Sequence, residues 1–199
     1  KVRRKQLLQG GFEERNQQIF LLNMRWNLNK AWGLRWQSEK GEEVQLLDLG
    51  SQDGSNGRNF HINYFTLWPE ISWQPGMNFR LAGRYTYTNR QNQAGQFRET
   101  GDESSLQQVV GLDLRLNKLM KYSLNASLEY VDLRYDGDEN SPVAYEMLDG
   151  LRQGGNIRWT LNWQQQLIEG LQLSVNYFGR KPESSPAIHS GSVMVRALF

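Results

Sequence analysis

Polar and apolar residues take turns along most of the chain. Ile157, Trp159, Leu161 and Trp163 fall on one face of an extended segment, with Asn156, Arg158, Thr160, Asn162 and Gln164 on the other. A period of two marks a β-strand with one apolar and one polar face. Leu171, Leu173, Val175 and Tyr177 oppose Gln172, Ser174 and Asn176 in the same way, and only the short turn at Glu169-Gly170 separates the two segments. That arrangement predicts a β-hairpin. Upstream, one face is shared by Tyr122, Leu124, Ala126, Leu128 and Tyr130, and another by Val110, Leu112, Leu114 and Leu116. Phe79, Leu81, Gly83, Tyr85 and Tyr87 form a further set, as do Trp32, Leu34 and Trp36, and Phe20, Leu22, Met24, Trp26 and Leu28.

One stretch departs from this rhythm. Between 58 and 74 the apolar set begins on Phe60, Ile62 and Tyr64 but ends on Leu67, Ile71 and Trp73. The change of parity predicts a bulge or bend near Phe65-Thr66, beside Pro69. The last segment, 192–199, alternates again and stops on Phe199, as a strand closing a membrane sheet would.

The connections alternate too. Short links at 29–31, 74–77, 117–121 and 168–170 interleave with long polar ones at 39–57, 90–104, 136–154 and 181–187. Short turns at one end and long loops at the other are the organisation of outer-membrane β-barrels, where the short turns are periplasmic. The pattern predicts an all-β antiparallel transmembrane barrel of about eight to ten meander strands, in the cell outer membrane with its C-terminus periplasmic. Residues 16–199 form the barrel, and 1–15 form an N-terminal segment that is either an extra strand or a loop. Nine strands are counted from 20–28 to 193–199. Single-chain bacterial barrels carry an even number, and 3–12 alternates poorly, so the count favours the C-terminal part of a larger barrel.

Composition fits that picture. A single domain suits 199 residues, but 38% hydrophobic is a modest supply for a water-soluble core. A barrel in lipid turns its apolar face outward and needs fewer such residues. Seven Trp, eight Tyr and eight Phe supply aromatic girdles at the two interfaces. No run of about 18 apolar residues exists to make a transmembrane helix. Lys1-Val2-Arg3-Arg4-Lys5 has no apolar region behind it to act as a signal peptide, which points to a mature chain or a piece of a longer one. There is no Cys to form disulfides.

Charge is informative through its placement. Strand positions opposite the apolar face carry Arg25, Arg35, Arg80, Arg84, Arg115, Arg158, Arg180 and Arg196, against Asp113 and Glu129. One reading is a cationic lumen that accepts anions or an acidic plug, because arginine forks bind carboxylate and phosphate. The other is an ordinary polar ladder whose partners lie on other strands. Loop carboxylates such as Glu39, Glu42, Glu43, Asp48, Asp102, Asp136 and Asp138 are read as solvated charge rather than as a divalent-cation site, since 136–140 lacks the remaining ligand spacing of a calcium loop. Residues 143–151 have apolar positions at helical spacing and a terminal Gly150; a small loop element packing on its own barrel is favoured over one docking a partner.

Enzymatic chemistry has little footing. His189 stands beside Ser190 and Ser192, and His61 lies near the start of another strand, but adjacency in sequence supplies no triad geometry. No nucleophile elbow, metal spacing or phosphate loop is present. No catalytic residues, metal or cofactor are assigned. The arginines are spread one or two to a strand, so no compact patch for nucleic acid emerges.

The segments 144–151, 159–163 and 171–181, followed by Ile188-His189-Ser190-Gly191 and Val195-Arg196-Ala197-Leu198-Phe199, resemble the C-terminal β-barrel region of large outer-membrane proteins of Bacteroidota-type bacteria. Phe199, with Val195 and Ala197 on its face, resembles the signal read by the barrel-assembly machinery. The resemblance implies insertion by that machinery but brings no catalytic or binding residues with it. The functional expectation is a non-enzymatic barrel forming part of a transport or secretion conduit, or of an envelope assembly complex. Its partners would be outer-membrane lipid, lipopolysaccharide, the assembly machinery and other envelope proteins or a plug. The alternative is a small closed barrel whose outer loops bind a surface partner, such as lipopolysaccharide, an adhesion ligand or a lipoprotein.

Overall fold

Alternation of this kind builds strands that pair with their chain neighbours, and the computed structural model, which describes residues 2–6, 12–48, 59–93, 102–119, 121–138, 140–149, 151–168 and 170–197, has that form. Ten strands pair in chain order in one antiparallel sheet: β1 (Val2–Gln6), β2 (Phe12–Asn27), β3 (Trp32–Asp48), β4 (Phe60–Gly76), β5 (Phe79–Asn92), β6 (Glu103–Lys118), β7 (Tyr122–Asp136), β8 (Gly154–Ile168), β9 (Leu171–Pro182) and β10 (Ile188–Ala197). A short helix, α1 (Pro142–Met147), lies between β7 and β8. No ladder joins β1 to β10 among the described residues, so the sheet is open there. Among the described residues no helix is long and apolar enough to cross a membrane.

Three expectations need correction. The N-terminal segment contributes a strand: Val2–Gln6 pairs with residues 12–16 of β2, so the count is ten rather than nine. Poor alternation there did not prevent pairing, because an antiparallel ladder is made by backbone groups. The parity change in β4 is no bulge. The β3–β4 register runs unbroken from Trp32↔Trp73 to Gln45↔Phe60, and the β4–β5 shift falls between Trp73 and Gly76. Phe60 and Ile62 are on the polar face because they have apolar partners there, described below. Finally, much of what reads as the first long loop is strand, since β3 continues through Glu39, Glu42 and Glu43 to Asp48.

The two faces separate as the alternation predicts. Leu34, Ile71, Leu112, Leu128 and Trp159 lie on one face, and each is directly opposite the next member of its row or one glycine removed from it. Leu112 is 53% exposed and Val110 56%. Aromatic residues gather toward the turn end of this face, where Trp32 and Trp73 lie 6.2 Å apart and Trp73 meets Phe79 edge-on at 5.3 Å. Among the described residues, buried apolar side chains are instead concentrated on the polar face at the loop end. Phe60, Ile62, Leu133, Tyr135, Val143, Ala144, Met147 and Leu148 form a cluster there.

The polar face is concave. α1 and the residues just after it touch β2 through Arg15, β4 through Phe60 and Ile62, β5 through Arg90, β6 through Ser105 and β7 through Leu133. In a flat sheet β2 and β7 would be about 24 Å apart at ~4.8 Å per strand. A helix of six residues is about 9 Å long, so the sheet must curl around it.

Candidate functional site: the concave face and its cap

The site is a charged row across the concave face, closed at the loop end by α1. Direct cross-strand neighbours place Arg25, Arg35, Glu70, Arg84, Gly111, Glu129, Arg158 and Arg180 in one line from β2 to β9. The carboxylates answer the arginines at its centre. Arg84 forks, giving one hydrogen bond to Asp113 at 2.9 Å and another to Glu129 on β7. The second oxygen of Glu129 takes Arg158 at 2.7 Å, and Arg80 reaches Glu70 at 2.7 Å.

Arg84 and Glu129 are two strands apart, with β6 between them. The crossing is possible because the intervening residue is Gly111: a Cβ there would stand 3.0 Å from Arg84 Nε and 3.1 Å from its Cγ. Glycine here is a passage for a side chain. On the convex face Gly179 serves a similar end, with the Trp159 indole lying over it.

The expected cationic interior is therefore balanced along its middle. Glu70, Glu39 and Glu43 face inward and were not counted from the sequence. The apparent parity change hid Glu70, and the loop assignment hid the other two. Carrying the parity of Trp32, Leu34 and Trp36 forward along β3 would have found Glu39 and Glu43. Arg115 donates to Asn125 at 3.1 Å. Arg25, Arg35, Arg180 and Arg196 make no ion pair among the described residues. They lie toward the two margins of the sheet. Val195 and Ala197 share the convex face with Leu173 and Leu171; Phe199 lies outside the described residues.

α1 is built to sit in the mouth. Ser141 caps it, accepting the Ala144 amide at 2.9 Å, and Pro142 opens its first turn. The Ser141 hydroxyl also donates to Glu103 of β6 at 3.0 Å, and the other Glu103 oxygen takes Asn92 of β5 at 3.0 Å. Asp138, in the acidic run, accepts the Asn140 amide at 3.0 Å and so shapes the turn into this cap. Arg15 reaches from β2 to both Glu43 and Glu146. Arg90 holds the helix end, donating to the Met147 carbonyl at 2.9 Å and to Asp149 at 3.1 Å. The apolar side of α1 faces its own sheet, as favoured from the sequence.

Beneath the cap lies a cavity of about 600 Å³ whose lining includes Tyr64, Trp68, Thr86, Gln107, Glu129 and Arg158. Its walls offer both charge signs, hydroxyls, amides and two aromatic rings, which suits water and polar solutes. Among the described residues no cluster of His, Cys, Asp or Glu could hold a metal ion. The histidines stand apart from the cavity. His61 contacts Glu42 at 2.6 Å, and His189 bonds Tyr177 at 2.7 Å beside Trp159, both on the convex face. Ser190 and Ser192 point to the concave face, so the sheet divides them from His189. Compared with known proteins, the chain matches no family model and no curated relative.

Proposed function

We propose that the chain forms a wall of an outer-membrane β-barrel that serves as a transport or secretion conduit or as the membrane part of an envelope assembly complex. The observation that carries this reading is the inverted amphipathicity of the sheet. Its convex side is an exposed band of Leu, Val, Ile and Trp, while the concave side holds the ion pairs and the polar cavity. A water-soluble monomer rarely exposes an apolar patch beyond a few hundred Å², whereas lipid requires one. Strand length agrees. Val110 to Leu116 covers about 20 Å at ~3.4 Å per residue, close to the ~25 Å apolar band of membrane barrels. Lipid and lipopolysaccharide would cover the band, the barrel-assembly machinery would insert it, and the resemblance to Bacteroidota-type proteins is consistent with that route.

Paired charge substitutions test the placement. Leu112→Arg on the convex face should cost about 2–4 kcal/mol of stability in lipid, whereas Asn162→Arg on the concave face should be tolerated. Assembly into lipid vesicles, followed by urea unfolding, reads both. Equal tolerance of the two would remove the membrane reading.

The second reading, a small closed barrel that acts through its outer loops, is favoured by one observation: α1 fills the mouth with apolar side chains. Conductance separates the two. A conduit gains ion flux when α1 is released by Met147→Ala, and a filled barrel does not.

A further inference from the structure

The charges around the cavity under α1 neutralise one another. Arg84 is held by Asp113 and Glu129, Arg158 by Glu129, and Arg90 by Asp149. Arg15 takes both Glu43 and Glu146, and Glu39 accepts the Tyr64 hydroxyl at 2.7 Å. What the lining leaves over is neutral. Thr66, Thr88 and Gln107 are 6%, 5% and 8% exposed, all three line the cavity, and none makes a side-chain hydrogen bond among the described residues. Their polar atoms stay open to the cavity instead of being sealed in its wall. Polar groups buried this far normally have partners, so three without one call for a ligand.

Register makes them a single platform. Thr66 stands directly opposite Thr88, and Thr88 opposite Gln107, so the row is about 10 Å long at ~4.8 Å per strand. It presents two hydroxyls and an amide, which both donate and accept. Trp68 and Tyr64 flank Thr66 on the same face of β4 and bring an aromatic ring each to the cavity. Tyr64 is fixed: its ring lies over Gly41, where no Cβ intervenes, and Glu39 holds its hydroxyl.

We propose that the cavity under α1 binds a neutral saccharide of one or two rings, with its hydroxyls on Thr66, Thr88 and Gln107 and a C–H face against Trp68. A charged ligand would have to break ion pairs already made, and an apolar one would leave the row unpaired. A neutral polyol answers donors and acceptors together. The cavity, at about 600 Å³, falls within the ~300–1,000 Å³ usual for small-molecule sites. The inference rests on the conduit reading for its role: the saccharide is the solute that passes, and α1 is the cap above it.

Thr88→Val and Gln107→Leu separate a ligand platform from a structural one. The whole protein in detergent micelles is titrated with glucose, maltose, lactose and cellobiose, and with glucose 6-phosphate and glucosamine as charged controls, by saturation-transfer NMR. At least one neutral sugar should bind, more tightly than either charged control. Each substitution should weaken that binding about tenfold, the loss of a hydrogen bond to the ligand. The urea midpoint should stay level or rise, because the apolar side chain leaves no protein partner unpaired. No neutral sugar bound, a charged control bound more tightly, unchanged binding in both variants, or a lowered midpoint in both overturns the proposal. The conduit reading fails separately: sugar bound in micelles, but no ion flux through Met147→Ala in lipid vesicles, upholds the site and removes the conduit.

Discussion

Asp149 follows α1 with a backbone φ of 51°, a left-handed position where glycine is usual and Asp or Asn is tolerated. The sequence points to Gly150 as the stop of this helix, but Gly150 lies outside the described residues. Asp149 also binds Arg90 through both oxygens, but its side chain is half exposed, and such pairs contribute about 0–1 kcal/mol. The backbone should therefore outweigh the ion pair. Asp149→Gly is expected to be near neutral and Asp149→Ala to cost about 1 kcal/mol more, read by hydrogen exchange of the α1 amides. At Gly111 the geometry sets the sign against propensity. Gly111→Val adds a residue that favours strands by up to about 1 kcal/mol, yet it should lower stability by about 1–3 kcal/mol by pushing Arg84 off Glu129 and leaving partly buried charge unpaired. Urea unfolding in detergent micelles measures it. A stabilised variant would mean that the Arg84 crossing contributes nothing.

α1 is too short to persist alone. It has no charged residue complementing either end, so packing and its cap must hold it. Val143, Ala144 and Met147 are almost entirely buried against β4 and β7. Met147→Ala should cost about 2–5 kcal/mol locally, and limited proteolysis should then cut the α1 segment while the sheet stays intact. Simultaneous loss of the sheet would instead make α1 part of one cooperative unit. The element also explains β4. Phe60 and Ile62 share a face with Glu70, and only the presence of α1 makes that face apolar at one end and charged in the middle.

At the scale of the whole molecule, tryptophan tests the proposal that the convex face meets lipid. Trp163 lies on the convex face opposite Val175, whereas Trp68 lines the concave cavity. In vesicles of brominated lipid, a variant retaining Trp163 alone should be quenched strongly, and one retaining Trp68 alone should keep most of its emission. Equal quenching would contradict the assignment of faces. The two margins complete the picture. β10 is exposed along its whole length, and β2 is exposed beyond residue 17. Among the described residues, the ion pairs gather at the centre of the curled sheet, and Arg25, Arg35, Arg180 and Arg196 toward its margins have none.

How much of this was legible beforehand follows from range. A period of two is local, so the sequence determined β2 to β10, their neighbours in chain order and the face taken by residues such as Leu112 and Asn162, but not β1, whose alternation is poor. It also determined that 143–151 would hold a helical element. Which charges meet was beyond it, because that depends on register across several strands: nothing near Arg84 in the chain announces Glu129, 45 residues away. Curvature and the docking of α1 onto Phe60 and Ile62 were decided by tertiary structure alone. Alternation says which way a side chain points, but only the bending and pairing of the sheet say what it meets.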